Sequence, residues 1–184
     1  MFWRRRPQDP GPIILLEPAG GALTEPLQQH RLPERDDLDG LGGASDLAAD
    51  WLHPRILKPD RSFPSPVTFR WLPPPRLRQR TRYDLHLDRD PAMRSPILFQ
   101  GIPQPAIRLR HLLVDTDYFW QVTATLGGDP LAASAIGHFR THPALPRWLR
   151  VPEMTNVRDL GGWPAGDGMR VRQGMLYRSS EMNR

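Results

Sequence analysis

Apolar and polar positions alternate with period two through much of the middle of the chain. Val67, Phe69 and Trp71 alternate with Thr68 and Arg70, and Pro73-Pro74-Pro75 breaks the run. Tyr83, Leu85 and Leu87 alternate with Asp84, His86 and Asp88, and Asp90-Pro91 turns. Ile97-Leu98-Phe99 is a short run before Gly101. Ile107 and Leu109 alternate with Arg108 and Arg110. Tyr118, Trp120, Val122, Ala124 and Leu126 alternate with Phe119, Gln121, Thr123 and Thr125, and Gly127-Gly128-Asp129-Pro130 reads as a turn. A further strand is predicted over Ala135 to Thr141. Short strands at this spacing with one apolar face predict a two-sheet β-sandwich.

The flanks read differently. Residues 1–11 form a lead expected to be disordered. Pro12 to Pro18 reads as a short strand around Ile13–Leu16, closed by a turn at Ala19-Gly20-Gly21-Ala22. Thr24 is placed to cap a helix over Glu25 to Gln29, and Ser45 a second over Asp46 to Leu52. Pro54, Pro59, Pro64 and Pro66 then keep the chain extended. Near the other end, Gly166-Asp167-Gly168 predicts the turn of a hairpin joining Trp163 to Met169–Val171.

Composition sharpens this picture at three points. The 22 Pro and 15 Gly among 184 residues argue for strands and turns over long helices. The formal charge of +5 rests on Arg, because Lys58 is the only Lys, so guanidinium forks are the available phosphate grips. Cys is absent, which excludes disulfides and any thiolate site on this chain. The apolar run from Ile13 to Leu16 is too short for a membrane span or a signal-peptide core, so the expected compartment is the cytoplasm.

Several features between Pro66 and Thr141 have a familiar order. They are Phe69-Arg70-Trp71, Tyr83-Asp84-Leu85, Leu112 six residues before Tyr118, Tyr118-Phe119-Trp120-Gln121-Val122, and Phe139-Arg140-Thr141. Together they resemble a fibronectin type III domain. The resemblance implies that Trp71 is the core tryptophan of the second strand. It also implies that Tyr118 bonds back through its hydroxyl to upstream backbone. The Ile13–Leu16 strand would open the domain, leaving residues 24–64 as a partly helical insertion.

A second signature follows. Asn156-Val157-Arg158-Asp159-Leu160-Gly161-Gly162 is succeeded by Gly174-Met175-Leu176-Tyr177-Arg178-Ser179. This resembles the entry to the catalytic domain of the bacterial tyrosine-phosphatase family, which opens N-(F/V)-R-D-L-G-G and continues to G-x-L-(Y/F)-R-S. The resemblance covers about Pro152 to Arg184. It implies that Asn156, Arg158, Asp159 and Arg178 line the substrate site of a complete domain, which hydrolyses phosphotyrosine or another phosphate monoester. Such chemistry requires a Cys thiolate in a loop of backbone N–H groups. That Cys is missing here, so no catalytic residue is assigned and the chain itself is expected to be inactive. A structural reading of the same residues is also open, in which Asp159 caps a turn and pairs with an arginine.

The expected architecture is therefore mainly β. A fibronectin type III-like sandwich over residues 12–142 leads through a linker at 143–151 to the opening β-hairpin of an α/β phosphatase domain at 152–184. The chain reads as an N-terminal fragment of a phosphatase. The alternative is a non-catalytic binding module that meets a protein partner through the sandwich. No cofactor is implied. His138 and His142 lack a third ligand nearby, so no metal site is assigned. Arg76, Arg78, Arg80 and Arg82 alternate and would form a cationic strand face suited to a polyanion, although a solvated sheet edge protected by charge is the favoured account, which argues against nucleic acid as a partner. Neither Gly20-Gly21 nor Gly161-Gly162 has the spacing of a phosphate-binding loop, and no Ser/His/Asp arrangement is legible.

Overall fold

Alternation becomes burial in the central strands. The structure is a computed structural model that describes residues 10–28, 64–76, 80–152, 154 and 156–179. It is mainly β, and no helix occurs among the described residues. The chain divides into two units, Met1–Glu25 with Pro66–Pro143, and Pro26–Ser65 with Ala144–Arg184.

Among the described residues the first unit holds nine strands: β1 (Ile14–Glu17), β2 (Ala22–Leu23), β3 (Val67–Leu72), β4 (Arg82–Asp88), β5 (Ile97–Ile102), β6 (Ala106–Leu109), β7 (Asp117–Leu126), β8 (Asp129–Ala133) and β9 (Gly137–Arg140). One sheet has the order β1-β3-β6 and the other β2-β9-β7-β4-β5, with β8 also on β7. Val67, Phe69 and Trp71 of β3 point inward, as do Tyr83, Leu85 and Leu87 of β4 and Tyr118, Trp120 and Val122 of β7. These inward faces meet between the sheets. The Phe69 ring lies edge-on to Trp120 at 5.1 Å and to Phe139 at 5.6 Å, and Trp71 lies edge-on to Tyr83 at 5.3 Å. Each such pair contributes about 0.5–1.5 kcal/mol beyond the area it buries.

Tyr118 does what its place in the sequence predicts. Its hydroxyl accepts a hydrogen bond from the Leu113 N–H at 3.0 Å, while its ring stacks on Phe139. Thr141 completes the corner by donating its hydroxyl proton to Leu113 O and accepting from Thr116 N. The loop from His111 to Thr116 is thus held by side chains together with the backbone bonds from Thr141 N to Thr116 O and from Asp115 N to His142 O.

Four expectations need correction. Thr24 does not cap a helix over Glu25–Gln29. Its hydroxyl donates to Glu25 O and accepts from His142 N, while Gln28 bridges Pro64 and Ser65 N donates to Leu27 O. Leu27 and Gln28 are buried, so tertiary partners take the groups a helix would have used. The second helix, over Asp46–Leu52, lies outside the described residues, as does most of the lead at 1–11. Asp129-Pro130 is strand, not turn. Gly127 and Gly128, at φ of +65° and +96°, make the reversal alone, and Pro130 is accommodated because β8 pairs only with β7. Ala22, read as turn, begins β2, which runs parallel to β9. The arginine stripe is not a strand face. Arg76 and Arg80 sit at turn positions, Arg78 lies outside the described residues, and only Arg82 enters β4.

Among the described residues the second unit holds five short strands: β10 (Arg147–Trp148), β11 (Arg158–Asp159), β12 (Pro164–Gly166), β13 (Met169–Arg170) and β14 (Tyr177–Arg178). β12 and β13 form the predicted hairpin, with Asp167 at φ +48° and Gly168 at φ +72° between them. Two positive φ values in a two-residue loop are what an Asp-Gly turn supplies. β10, β11 and β14 form a separate sheet in that order, so part of the segment read as a linker at 143–151 is strand. Among the described residues no helix is long and apolar enough to cross a membrane.

Tyr118→Phe removes the acceptor for Leu113 N–H and leaves the stacking intact. It is expected to cost about 1–2 kcal/mol, the cost of orphaning a partly buried donor. Urea unfolding should show a lower midpoint at unchanged slope. An unchanged midpoint would contradict the role given to the hydroxyl.

Candidate functional site

Antiparallel pairing places directly opposed residues on the same face of a sheet. In the sheet β10-β11-β14, Arg147 faces Asp159 and Asp159 faces Tyr177, while Trp148 faces Arg158 and Arg158 faces Arg178. The small sheet therefore carries two rows. One is Arg147–Asp159–Tyr177 and the other is Trp148–Arg158–Arg178.

The first row is built around a fully buried carboxylate. Asp159 has no exposed surface, and the Arg147 side chain is only 9% exposed. Arg147 Nη1 donates to Asp159 Oδ2 at 2.5 Å, Gly174 N donates to the same oxygen at 2.7 Å, and Gly161 N donates to Oδ1 at 2.8 Å. A buried charge is tolerated only when it is paired and its remaining lone pairs are satisfied. Here the partners come from three separate places: β10, the turn after β11, and the turn before β14. Leu160 N also donates to Leu176 O at 2.9 Å.

The two glycines after Leu160 are needed for distinct reasons. A Cβ on Gly161 would stand 2.3 Å from Gln173 Cα and 2.7 Å from Arg172 O, inside backbone that cannot move aside. Gly162 adopts φ +88°, and a Cβ there would stand 2.7 Å from Leu145 Cδ2. The D-L-G-G run is thus a carboxylate with the tight turn that brings an N–H back onto it.

The second row is cationic. The Arg158 guanidinium lies over the Trp148 ring, 4.2 Å from its centroid. Its Nε donates to Asn156 Oδ1 at 2.7 Å. Asn156 reaches that position from φ +55°, a left-handed conformation that Asn adopts more readily than most residues. Burial pushes the Arg158 pKa below its usual value, and the Arg178 charge adds to the effect. The group remains a cation at any ordinary pH. Among the described residues, no carboxylate pairs with Arg158 or Arg178.

The four residues assigned from the sequence are therefore split by the structure. Arg158 and Arg178 meet on one face, and Asn156 orients Arg158. Asp159 is on the other face with both oxygens taken by protein groups. Sequence reasoning missed Arg147 and Trp148 as site residues and gave Gly174, though part of the signature, no role. Arg147 and Trp148 lie in a two-residue strand whose polarity is inverted: the Arg is buried and the Trp half-buried. An alternation rule would point them the wrong way.

Of the two histidines four residues apart, His138 is engaged elsewhere. His138 Nε2 is 2.9 Å from Asp117 Oδ1, and its ring stacks on Phe119. No cluster of three potential metal ligands occurs among the described residues.

Asp159→Ala leaves the Arg147 cation buried without its partner. It is expected to destabilise the second unit by about 3–5 kcal/mol, the usual cost of breaking a buried pair from one side. Equilibrium unfolding in urea reads this directly, and a loss below about 1 kcal/mol would contradict the clip. Comparison with known families adds a relationship to this geometry. No curated protein matches the chain. The model of the tyrosine phosphatase family matches residues 149–184, a segment that holds Asn156, Arg158, Asp159 and Arg178 but not Arg147 or Trp148. The C-terminal segment of this chain is thus related to tyrosine phosphatases.

Proposed function

We propose that this chain is the non-catalytic front part of a bacterial tyrosine phosphatase, whose complete form hydrolyses phosphotyrosine or another phosphate monoester. The observation that carries the reading is the family match over residues 149–184, on a segment with two uncompensated arginines side by side. The absence of Cys from the chain supports inactivity, because the thiolate chemistry of the family needs that residue. Exposed apolar side chains in the same segment support a larger parent domain. Met169, Met175 and Leu176 are 60%, 66% and 58% exposed, and side chains of this kind are usually covered.

In this reading Arg158 and Arg178 face the substrate phosphate in the parent. Asn156 orients Arg158, and Asp159 acts from behind the site by fixing the strands that carry both arginines. The first unit is a fibronectin type III-like accessory domain. Its strand orders β1-β3-β6 and β9-β7-β4-β5, its core Trp71 and its Tyr118 corner support that assignment. A second reading is an independent binding module. The edge strand β5 favours it, because Ile97 and Leu98 are exposed beside an open row of backbone groups.

Incubation of the purified chain with an aryl phosphate should give no turnover above a Cys-free control protein. Turnover that persists through repurification would overturn the assignment. The intact mass of the protein made by its own host separates the two readings. A mass well above 21.1 kDa supports a phosphatase parent, and a mass near it favours the binding module.

A further inference from the structure

In the first unit, β6 ends the sheet β1-β3-β6 and pairs only with β3. Thr68 faces Arg108 and Arg70 faces Ala106, with no bulge between them. Trp71 N donates to Pro105 O at 3.2 Å, which continues the same register. Bonded and non-bonded pairs alternate along an antiparallel ladder. Phe69 therefore bonds to Ile107, and the backbone groups of Ala106 and Arg108 point away from β3 toward the open side. Their side chains lie on the outer face of the sheet, because the inner face is marked by the buried Phe69 and Leu109.

The same two residues line a cavity of about 540 Å3 together with Glu17, Thr68, Arg70 and Gln104. Ala106, a single methyl, lies between the open edge and Arg70, so the way to that guanidinium is short of obstruction. Arg108 pairs with no carboxylate among the described residues. Arg70 meets Glu17 only at 3.5 Å with both side chains half exposed, a contact that holds little energy in water. Two guanidiniums against one carboxylate leave the cavity with one positive charge in excess. That excess matches a single carboxylate, and Glu17 opposes a dianion. An edge with free backbone groups accepts an extended chain, and a side chain set beside Ala106 by such a chain lies on the cavity face.

We infer that the β6 edge binds an acidic peptide in extended conformation, added as a further strand, with one Asp or Glu side chain entering the cavity over Ala106. The backbone of Ala106 and Arg108 supplies the strand bonds. The Arg108 guanidinium grips the carboxylate as a planar fork, and Arg70 adds the second cation. Thr68 and Gln104 offer neutral donors beside them. The site lies on the sheet that does not contain β5, and it is independent of the phosphatase reading.

The test is a titration of the intact chain at low salt with a capped heptapeptide that carries one central Glu between Val residues, followed by NMR at the backbone amides. Saturable shifts centred on Ala106 and Arg108 are expected, with slowed solvent exchange of both N–H groups. The peptide with Gln in place of Glu should bind about tenfold more weakly, since one charge-assisted contact is lost. The same peptide N-methylated at alternate residues should lose binding, and glutarate alone should give no saturable shift, because each lacks the strand bonds. Arg108→Gln should weaken the Glu peptide by about tenfold, and Ala106→Trp, on the exposed face, should block it. Arg89→Gln removes an exposed cation outside the cavity and should leave binding unchanged. Absence of saturable shifts, equal affinity for the Gln peptide, binding that survives N-methylation, or an equal loss in Arg89→Gln would each overturn the inference. A phosphoserine peptide that binds clearly more tightly than the Glu peptide would overturn the choice of a carboxylate.

Discussion

A single buried carboxylate organises the second unit. Asp159 receives an arginine from β10 and N–H groups from two glycine turns, and no other described side chain joins so many separate pieces of this short segment. Strands of two residues supply few ladder bonds of their own, and an isolated hairpin is marginal in water. The charge must be buried to be strong, and it must be fully partnered to be tolerated. That constraint explains the spacing of the motif. Asp159 needs Gly161 two residues on, where the turn returns an N–H to it, and Gly174 at the far side of the hairpin. Gly161 must lack a Cβ because Gln173 backbone occupies the space.

The function proposed for the cationic row depends on this clip without sharing its face. Side chains alternate along β11, so burying Asp159 turns Arg158 outward. The same register sets Arg178 next to Arg158 as it sets Tyr177 next to Asp159. The buried frame and the proposed phosphate contact thus fall on adjacent residues of one dipeptide, Asp159 and Arg158.

Much of the first unit was legible in the sequence because its strands are long enough for period two to show. β3, β4 and β7 bury the residues that alternation selects. Where alternation fails, a local cause is present. A bulge between Ala124 and Thr125 on the β8 side buries Thr125 beside Ala124. β5 exposes Ile97 and Leu98 because it lies at a sheet edge. The two-residue strands β2, β10 and β11 have no period to read. Thr24 looked like a helix cap because its partners, Glu25 O and His142 N, are set by the fold and not by neighbouring sequence. Of the site, resemblance located Asn156, Arg158, Asp159 and Arg178 but could not sort them. Only pairing register separates the buried Asp159 from the two arginines, and only tertiary contact brings Arg147 and Trp148 to them.

The most direct measurement of the central claim is hydrogen exchange at the Gly161 and Gly174 amides. Both N–H groups end on the Asp159 carboxylate although they lie on opposite sides of the hairpin. The account predicts that both are strongly protected and open together, with the same opening free energy, because one event releases them. Exchange of either amide at the rate of an unstructured peptide, or clearly different opening free energies for the two, would show that Asp159 does not hold the segment together.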